Sequence, residues 1–232
     1  VTFIGIDDTD TYDTPGTNQL ARALVRRIQP YARCVMILRH QLLFDRRIPY
    51  TSKNGSASIQ VERAADVPIS RLIDDCRAEM RAWFKEGSDP GLCVVERVPE
   101  AILAYGRRCQ GEIVPQEEAR SLAREHAIHL EGLGGTQGGV IGALAAVGLA
   151  SGGDDGRVVN LGEWPDDLSG PQPVASVQAR GIEIRELSTG SPVTDCIVDV
   201  GKHLRPNRRA GRVVLFVEST SGVPPWRAVR LT

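Results

Sequence analysis

The 232-residue chain carries 28 Lys and Arg against 29 Asp and Glu, a formal charge of -1, with 41% apolar and 25% charged residues. That length can bury a substantial core in one or two domains, and no apolar stretch approaches the ~18 residues that a membrane span needs. Near-neutral charge argues against coating nucleic acid by bulk electrostatics, and the opening VTFIGIDDTD lacks the basic and long apolar regions of a secretory signal, so a cytoplasmic protein is expected.

The first elements alternate strand and helix. Residues 1–6 form a short, β-branched apolar run that predicts a buried strand, and a loop rich in Asp, Thr, Gly and Pro follows over 7–17. Leu20, Leu24 and Ile28 lie at helical spacing, which predicts an amphipathic helix over 18–28. Strands are expected at 34–43 and 56–61, then a helix over 69–84 with Leu72, Ile73, Cys76 and Met80 on one face. A short strand at 92–95 and a helical stretch at 100–105 come next. Pro115 suits the first turn of a helix reaching His129, with Glu117 and Glu118 near its positive end.

A glycine-rich stretch over 131–139 leads into a small-residue helix or buried segment at 140–149. Beyond it the chain reads as loops at 151–156 and 164–173, with strands at 157–161, 174–179, 181–187, 196–200 and 212–218. Helices with strands first, then strands with loops, predict an α+β (mixed α/β) protein in two lobes, 1–112 and 113–232, divided near Gly111–Pro115.

The five cysteines, Cys34, Cys76, Cys93, Cys109 and Cys196, form no C-x-x-C pair, which predicts reduced, buried thiols and excludes a zinc ribbon. His40, His126, His129 and His203 do not form a ligand set by spacing. Arg205, Arg208, Arg209 and Arg212 cluster near the C-terminus, either as a phosphate-binding patch or as a solvated basic loop.

The chemistry concentrates in three stretches. Asp7, Asp8 and Asp10 follow directly on a buried strand, where three close carboxylates need a counter-charge. A divalent cation with hard oxygen ligands, above all Mg²⁺, suits them, and a solvated acidic turn is the bland alternative. A D-x-D phosphatase reading would make Asp8 the nucleophile and Asp10 the acid, but Tyr12 stands where that motif carries Thr or Val.

In the second stretch, Lys53 precedes Asn54-Gly55, a turn that can aim backbone N–H groups at an anion or simply close a hairpin. The third, Gly134-Gly135-Thr136-Gln137-Gly138-Gly139, lies ahead of a helical segment as a phosphate cradle does, though it is neither a Walker loop nor a dinucleotide fingerprint. All three point to one ligand, Mg²⁺ with a nucleoside triphosphate.

The run GIDDTD followed by Thr17 and NQLA resembles the opening of the isoleucine-tRNA agmatinylcytidine (agmatidine) synthetase family. Ile48-Pro49-Tyr50 with the Asn54-Gly55 turn, Asp89-Pro90-Gly91, and Gly139–Gly148 (G-x-IGALAAVG) resemble further family stretches in the same order. The resemblance implies a kinase-like domain binding ATP and Mg²⁺, here 1–112, beside a ferredoxin-like domain, here 113–232 with the glycine-rich loop.

Family members phosphorylate a cytidine of the tRNA anticodon, and agmatine then displaces the phosphate. The resemblance makes Asp7, Asp8 and Asp10 the holders of metal and phosphates, and Thr17 the autophosphorylated threonine. Thr9, Lys53, Asn54, Gly55, Gly134, Gly135, Gln137, Gly138 and Gly139 are implied to face the nucleotide. Two departures stand out: Asn18 follows Thr17 where the family often has a second hydroxyl, and the 232 residues hold no counterpart of the family's OB-fold or zinc ribbon.

The expectation is therefore an ATP- and Mg²⁺-dependent phosphotransferase or ligase. Its acceptor is a small molecule or nucleobase, with an amine and tRNA as further candidate partners. A non-catalytic nucleotide-sensing or RNA-associated module is the alternative.

Overall fold

The computed structural model describes residues 1–9, 16–48, 54–162, 164–165 and 168–231. It divides into two compact units, Val1–Gly152 and Gly153–Thr232.

The first unit is built from β1 (Thr2–Asp7), α1 (Thr17–Ile28), β2 (Ala32–Gln41), β3 (Gly55–Arg63), α2 (Ile69–Trp83), β4 (Gly91–Val95), α3 (Glu100–Gly111), α4 (Gln116–Glu125), β5 (His129–Gly132) and α5 (Val140–Gly152). Its strands form an antiparallel sheet in the order β5-β4-β1-β3-β2. Alternation along β1 divides the core. Phe3, Gly5 and Asp7 point to the side covered by α5, and Ile4 and Ile6 to the opposite side. Leu20, Leu24 and Ile28 of α1 are fully buried, as the spacing predicts.

Helix α5 explains its own composition. Every residue from Gly142 to Ala150 is buried, so it has no polar face. Small residues let it approach its neighbours' backbones: a Cβ at Gly5 of β1 would overlap the Ala143 carbonyl, and one at Gly148 would overlap the Ile102 carbonyl of α3. Gly106 of α3 likewise lies against α5, with the position of its Cβ 2.8 Å from the Ala145 oxygen.

Because α5 packs on β1, β3 and β4, the glycine-rich loop before it belongs to the first unit. The boundary expected near Gly111–Pro115 falls inside that unit. There the Gly and Pro mark only the turn from α3 to α4, anchored by buried Val114. The helix at Pro115 begins as expected, with Glu117 and Glu118 in its first turn, but it ends at Glu125 so that His129–Gly132 can pair with β4.

The second unit comprises β6 (Arg157–Leu161), β7 (Trp164–Pro165), β8 (Pro171–Pro173), α6 (Val174–Gln178), β9 (Glu183–Glu186), β10 (Ile197–Asp199), β11 (Asn207–Arg209), β12 (Arg212–Ser219) and β13 (Trp226–Ala228). β12 is its spine, pairing with β11 and β13 antiparallel and with β9 parallel. Val174–Gln178 is a short helix rather than the expected strand. Pro173 turns the chain into it, and Val174 and Val177 bury the same face one helical turn apart. With 31% helix and 30% strand among the described residues, the chain is of the expected α+β class.

Candidate functional site

The end of β1, the start of α1, Asn54-Gly55 at the start of β3 and the N-terminus of α5 surround one cavity of about 270 Å³ in the first unit. The turn expected at Asn54-Gly55 is not formed there: Gly55 already pairs with Gln41 of β2, and neither residue takes a positive φ. Asp7, Asp8, Thr17, Asn54, Gly55, Gly138 and Gly139 all line it, so seven of the expected site residues come together. Asp10 and Lys53 lie outside the described residues.

Asp7 is the last residue of β1 and lies opposite Gly91 of β4 in the ladder. Its carboxylate reaches the first turn of α5, where a Cβ at Gly142 would overlap its Oδ2. Asp8 then leaves the strand at φ 50, a left-handed conformation that Asp tolerates better than most residues. Thr9 is buried and donates its hydroxyl to Thr17 Oγ1 at 3.2 Å, which fixes Thr17 at the cavity wall from behind.

Asn54 is a wall rather than a donor to the cavity. Its Nδ2 donates to the Leu43 carbonyl at 2.8 Å, and its own carbonyl accepts from Leu42 N and Gln41 Nε2. Gly55 has no side chain because the Arg39 guanidinium fills the position of a Cβ.

The glycine-rich loop divides into two parts. Gly138 and Gly139 line the cavity together with Thr136. Gly134, Gly135 and Gln137 are not among its lining residues. Gly134 packs under the Phe84 ring, Gly135 adopts φ 53 beside the Asp89 carboxylate, and the Gln137 amide oxygen accepts from Arg120 Nη2 at 2.6 Å. Gln116 Nε2 of α4 also donates to the Gln137 carbonyl at 2.7 Å. The loop is therefore held in place by tertiary bonds.

Two features escaped sequence reasoning about the site. Asp89 lines the cavity and holds the loop: Thr136 N donates to its Oδ1 at 2.7 Å, and the Thr136 hydroxyl donates to its Oδ2. The signal was present in Asp89-Pro90-Gly91, but the triplet reads locally as a turn. Leu42, Cys109, Ile113, Val114 and Ile141 also line the cavity and give it an apolar surface. It is assembled from the residue after β2, α3, the α3–α4 turn and α5, so no local motif announces it.

Asp7, Asp8, Asp89, Glu112 and Arg47 line the cavity. Arg47 binds Asp45 through two nitrogens, which holds the Asp45 carboxyl at about 2, and Glu112 accepts from Arg108 Nε at 3.2 Å. Burial pushes the Cys109 thiol up to about 11, so it is neutral at pH 7 and not a thiolate nucleophile. Among the described residues no group of three or more His, Cys, Asp and Glu side chains is arranged to hold a metal ion. No described helix is long and apolar enough to cross a membrane.

No protein-family model matches the chain, and no curated protein matches it. Among solved structures the chain is similar to the tRNA fluorescent labeling enzyme, at 25% identity and a TM-score of 0.56. It is also similar to TiaS, an isoleucine-tRNA agmatidine synthetase, in its complex with that tRNA and ATP, at 24% identity and 0.56. TiaS in complex with the tRNA, AMPCPP and agmatine aligns at 24% identity and 0.54. Each alignment covers 63% of this chain but only 35% or 36% of the other, so the chain spans about a third of the length of the structures it matches. Over that share, its fold is TiaS-like.

Proposed function

We propose that this TiaS-like fold makes the chain an ATP- and Mg²⁺-dependent phosphotransferase or ligase, acting on a small molecule or nucleobase. The observation that carries the reading is the meeting of Asp7, Asp8 and Thr17 with Gly138, Gly139 and Gly142 in one cavity. The N-terminus of α5 offers the positive end of a helix dipole, which favours a phosphate group, while the N–H groups of Gly139, Val140 and Ile141 already donate to the Asp89, Gln137 and Gly138 carbonyls. Gly139 and Gly142 make room for Asp89 and Asp7, and Gly138 is the glycine that leaves space for a ligand.

Carboxylates beside a phosphate repel it unless a cation lies between them. Asp7 and Asp8 supply hard oxygen donors on one wall, and Mg²⁺ usually takes one or two carboxylates with phosphate oxygens completing its shell. The residues therefore fit the ion, with Asp10 as the third donor expected from the sequence. When bound, Mg²⁺ would neutralise charge on the phosphate oxygens. Lys53, next to Asn54 in sequence, would add a point charge.

In this reading the acceptor oxygen bonds to the γ-phosphorus as the bond to the β–γ bridging oxygen breaks, and ADP leaves. Thr17, oriented by Thr9, is then either a contact to the γ-phosphate or itself the acceptor hydroxyl. A ligase would go on to displace the phosphate with an amine; agmatine and tRNA are candidates through the solved neighbours that bind them. The protein's work is positioning and charge neutralisation, which suits this inventory of parts.

The test is ³¹P NMR of the protein with ATP and Mg²⁺, with and without tRNA. Release of ADP and phosphate, or phosphorylated product, that disappears in Asp8→Asn supports the reading. Unchanged turnover in that variant overturns it.

A second reading, a non-catalytic nucleotide-sensing or RNA-associated module, draws on the second unit. There the cluster of Arg205, Arg208, Arg209 and Arg212 lies on and around β11 and β12, and burial lowers the pKa of Arg208. This reading requires ATP binding without hydrolysis, and RNA binding that weakens steeply with salt.

A further inference from the structure

We infer that Asp89 is a positioning residue that locks Asp8, just past the end of β1, and the glycine-rich loop into one register, acting through its hydrogen bonds and not through its charge. The inference rests on the nucleotide reading for its kinetic consequence, but its structural part stands alone.

Four bonds meet at this residue. Its N–H donates to the Asp8 carbonyl at 3.2 Å, and its own carbonyl accepts from Gly139 N at 3.0 Å. Its two carboxylate oxygens accept from Thr136, one from the backbone N–H at 2.7 Å and one from the hydroxyl. Asp89 thus touches both polar walls of the cavity: Asp8 at the end of β1, and Thr136 and Gly139 ahead of α5.

The surrounding glycines keep these walls close. A Cβ at Gly139 would overlap the Asp89 carbonyl oxygen, and one at Gly135 would overlap Asp89 Oδ1. A Cβ at Gly91 would overlap the Gly139 backbone, so the strand that follows Asp89 is pressed against the loop. Any movement of the Asp89 backbone must therefore shift Asp8 and the glycine-rich loop together.

The side-chain bonds are directional, and that separates two roles for the residue. Both oxygens already accept a bond from Thr136, as a loop clasp requires. A carboxylate acting directly on substrate would have to depend on its negative charge. Asn is nearly isosteric with Asp: its Oδ1 can accept from Thr136 N–H and its Nδ2 can donate to a reoriented Thr136 hydroxyl. Asp89→Asn keeps the clasp and removes the charge, whereas Asp89→Ala removes both.

The experiment measures ATP turnover and amide hydrogen exchange on the whole chain for the wild type, D89N and D89A. The expected result is that D89A raises the ATP KM about tenfold or more and speeds exchange at Thr136 and Gly139, while D89N stays within about threefold of the wild type in KM and kcat with native protection. A folded D89N with native protection at Thr136 and Gly139 but kcat as low as the D8N variant overturns the inference, since charge would then be the working property. Native protection in D89A also overturns it. If D89A does not fold, D89N alone decides by the same criteria. If the wild type neither binds nor hydrolyses ATP, the nucleotide reading fails, and the exchange data still decide whether Asp89 clasps the loop.

Discussion

The carboxylate of Asp7 occupies the space that a side chain at Gly142 would need, in the first turn of α5. Strand β1 and helix α5 are thereby matched at one atom-sized point, and the expected metal-binding carboxylate touches the expected phosphate-binding helix. Gly142→Ala removes that match. Alanine favours the helix interior by about 1 kcal/mol over glycine, so the helix itself should not melt. The displaced carboxylate should lower Mg²⁺-dependent ATP turnover about 10- to 100-fold, as misplacement near 1 Å does elsewhere. Steady-state hydrolysis alongside circular dichroism checks it; native turnover would mean that the Asp7 position is immaterial.

The Thr9–Thr17 bond predicts a smaller and more selective effect. Thr9→Val keeps the buried shape of the side chain and deletes the donor to Thr17 Oγ1. With Thr17 left unoriented, phosphoryl transfer should slow about fivefold, the equivalent of about 1 kcal/mol for one hydrogen bond. Labelling with γ-³²P ATP, with Thr17→Ala as the unlabelled control, reads the outcome. Label retained in Thr17→Ala would remove Thr17 as the phosphoryl acceptor.

Much of this site is readable in the chain because its parts are local. Three carboxylates after an apolar run, and six residues rich in glycine before a small-residue segment, declare themselves without tertiary context. What joins them is not local. The Asp89–Thr136 clasp spans 47 residues, and Asp-Pro-Gly carries the same turn signal with or without it. The division into units fails for a related reason. Gly111 and Pro115 look like a linker, while the true division follows a helix whose packing on the sheet depends on Gly5, far away in sequence. At Val174 and Val177, β-branched residues suggested a strand, and burial of one helical face prevailed.

Glu131 gives the first unit a pH-dependent contact. Burial raises its pKa, but hydrogen bonds from Arg77 (2.9 and 3.0 Å) and His129 (2.9 Å) outweigh this and leave the group below its usual value of 4.5. A lowered native pKa contributes stability that is complete above pH 4.5 and is lost as pH falls through the native value. Glu131→Gln should cost about 1–2 kcal/mol at pH 7, and the difference from wild type should shrink progressively below pH 4.5. Urea titrations of both proteins at pH 7 and pH 3.5 measure it. A difference independent of pH would exclude the charged contact.

Gly5 predicts a purely steric cost. Its neighbour is the Ala143 backbone carbonyl, which cannot swing aside as a flexible side chain would. Gly5→Ala should destabilise the first unit by about 1–3 kcal/mol, the usual range for overpacking a close contact. A denaturant midpoint equal to wild type would show that α5 has room to retreat.

Arg208 tests the RNA-associated reading. If its half-buried guanidinium meets a phosphate, Arg208→Ala should weaken tRNA binding at every sequence alike and reduce the salt slope by about 1. An unchanged slope removes this arginine from any RNA contact.

Helix α5, closed in on every side and glycine-fitted to β1 and α3, makes the cavity floor continuous with the core. A ligand gripping its N-terminus therefore holds the end of a strut whose other contacts are the unit's own foundations. Occupancy and cohesion become one thermodynamic quantity: at a ligand concentration of about 100 times Kd, native-state binding adds about 2.7 kcal/mol against unfolding. The unit's melting temperature is thus a direct meter of what the cavity accepts, one that can rank nucleotides and metal ions before any reaction is known.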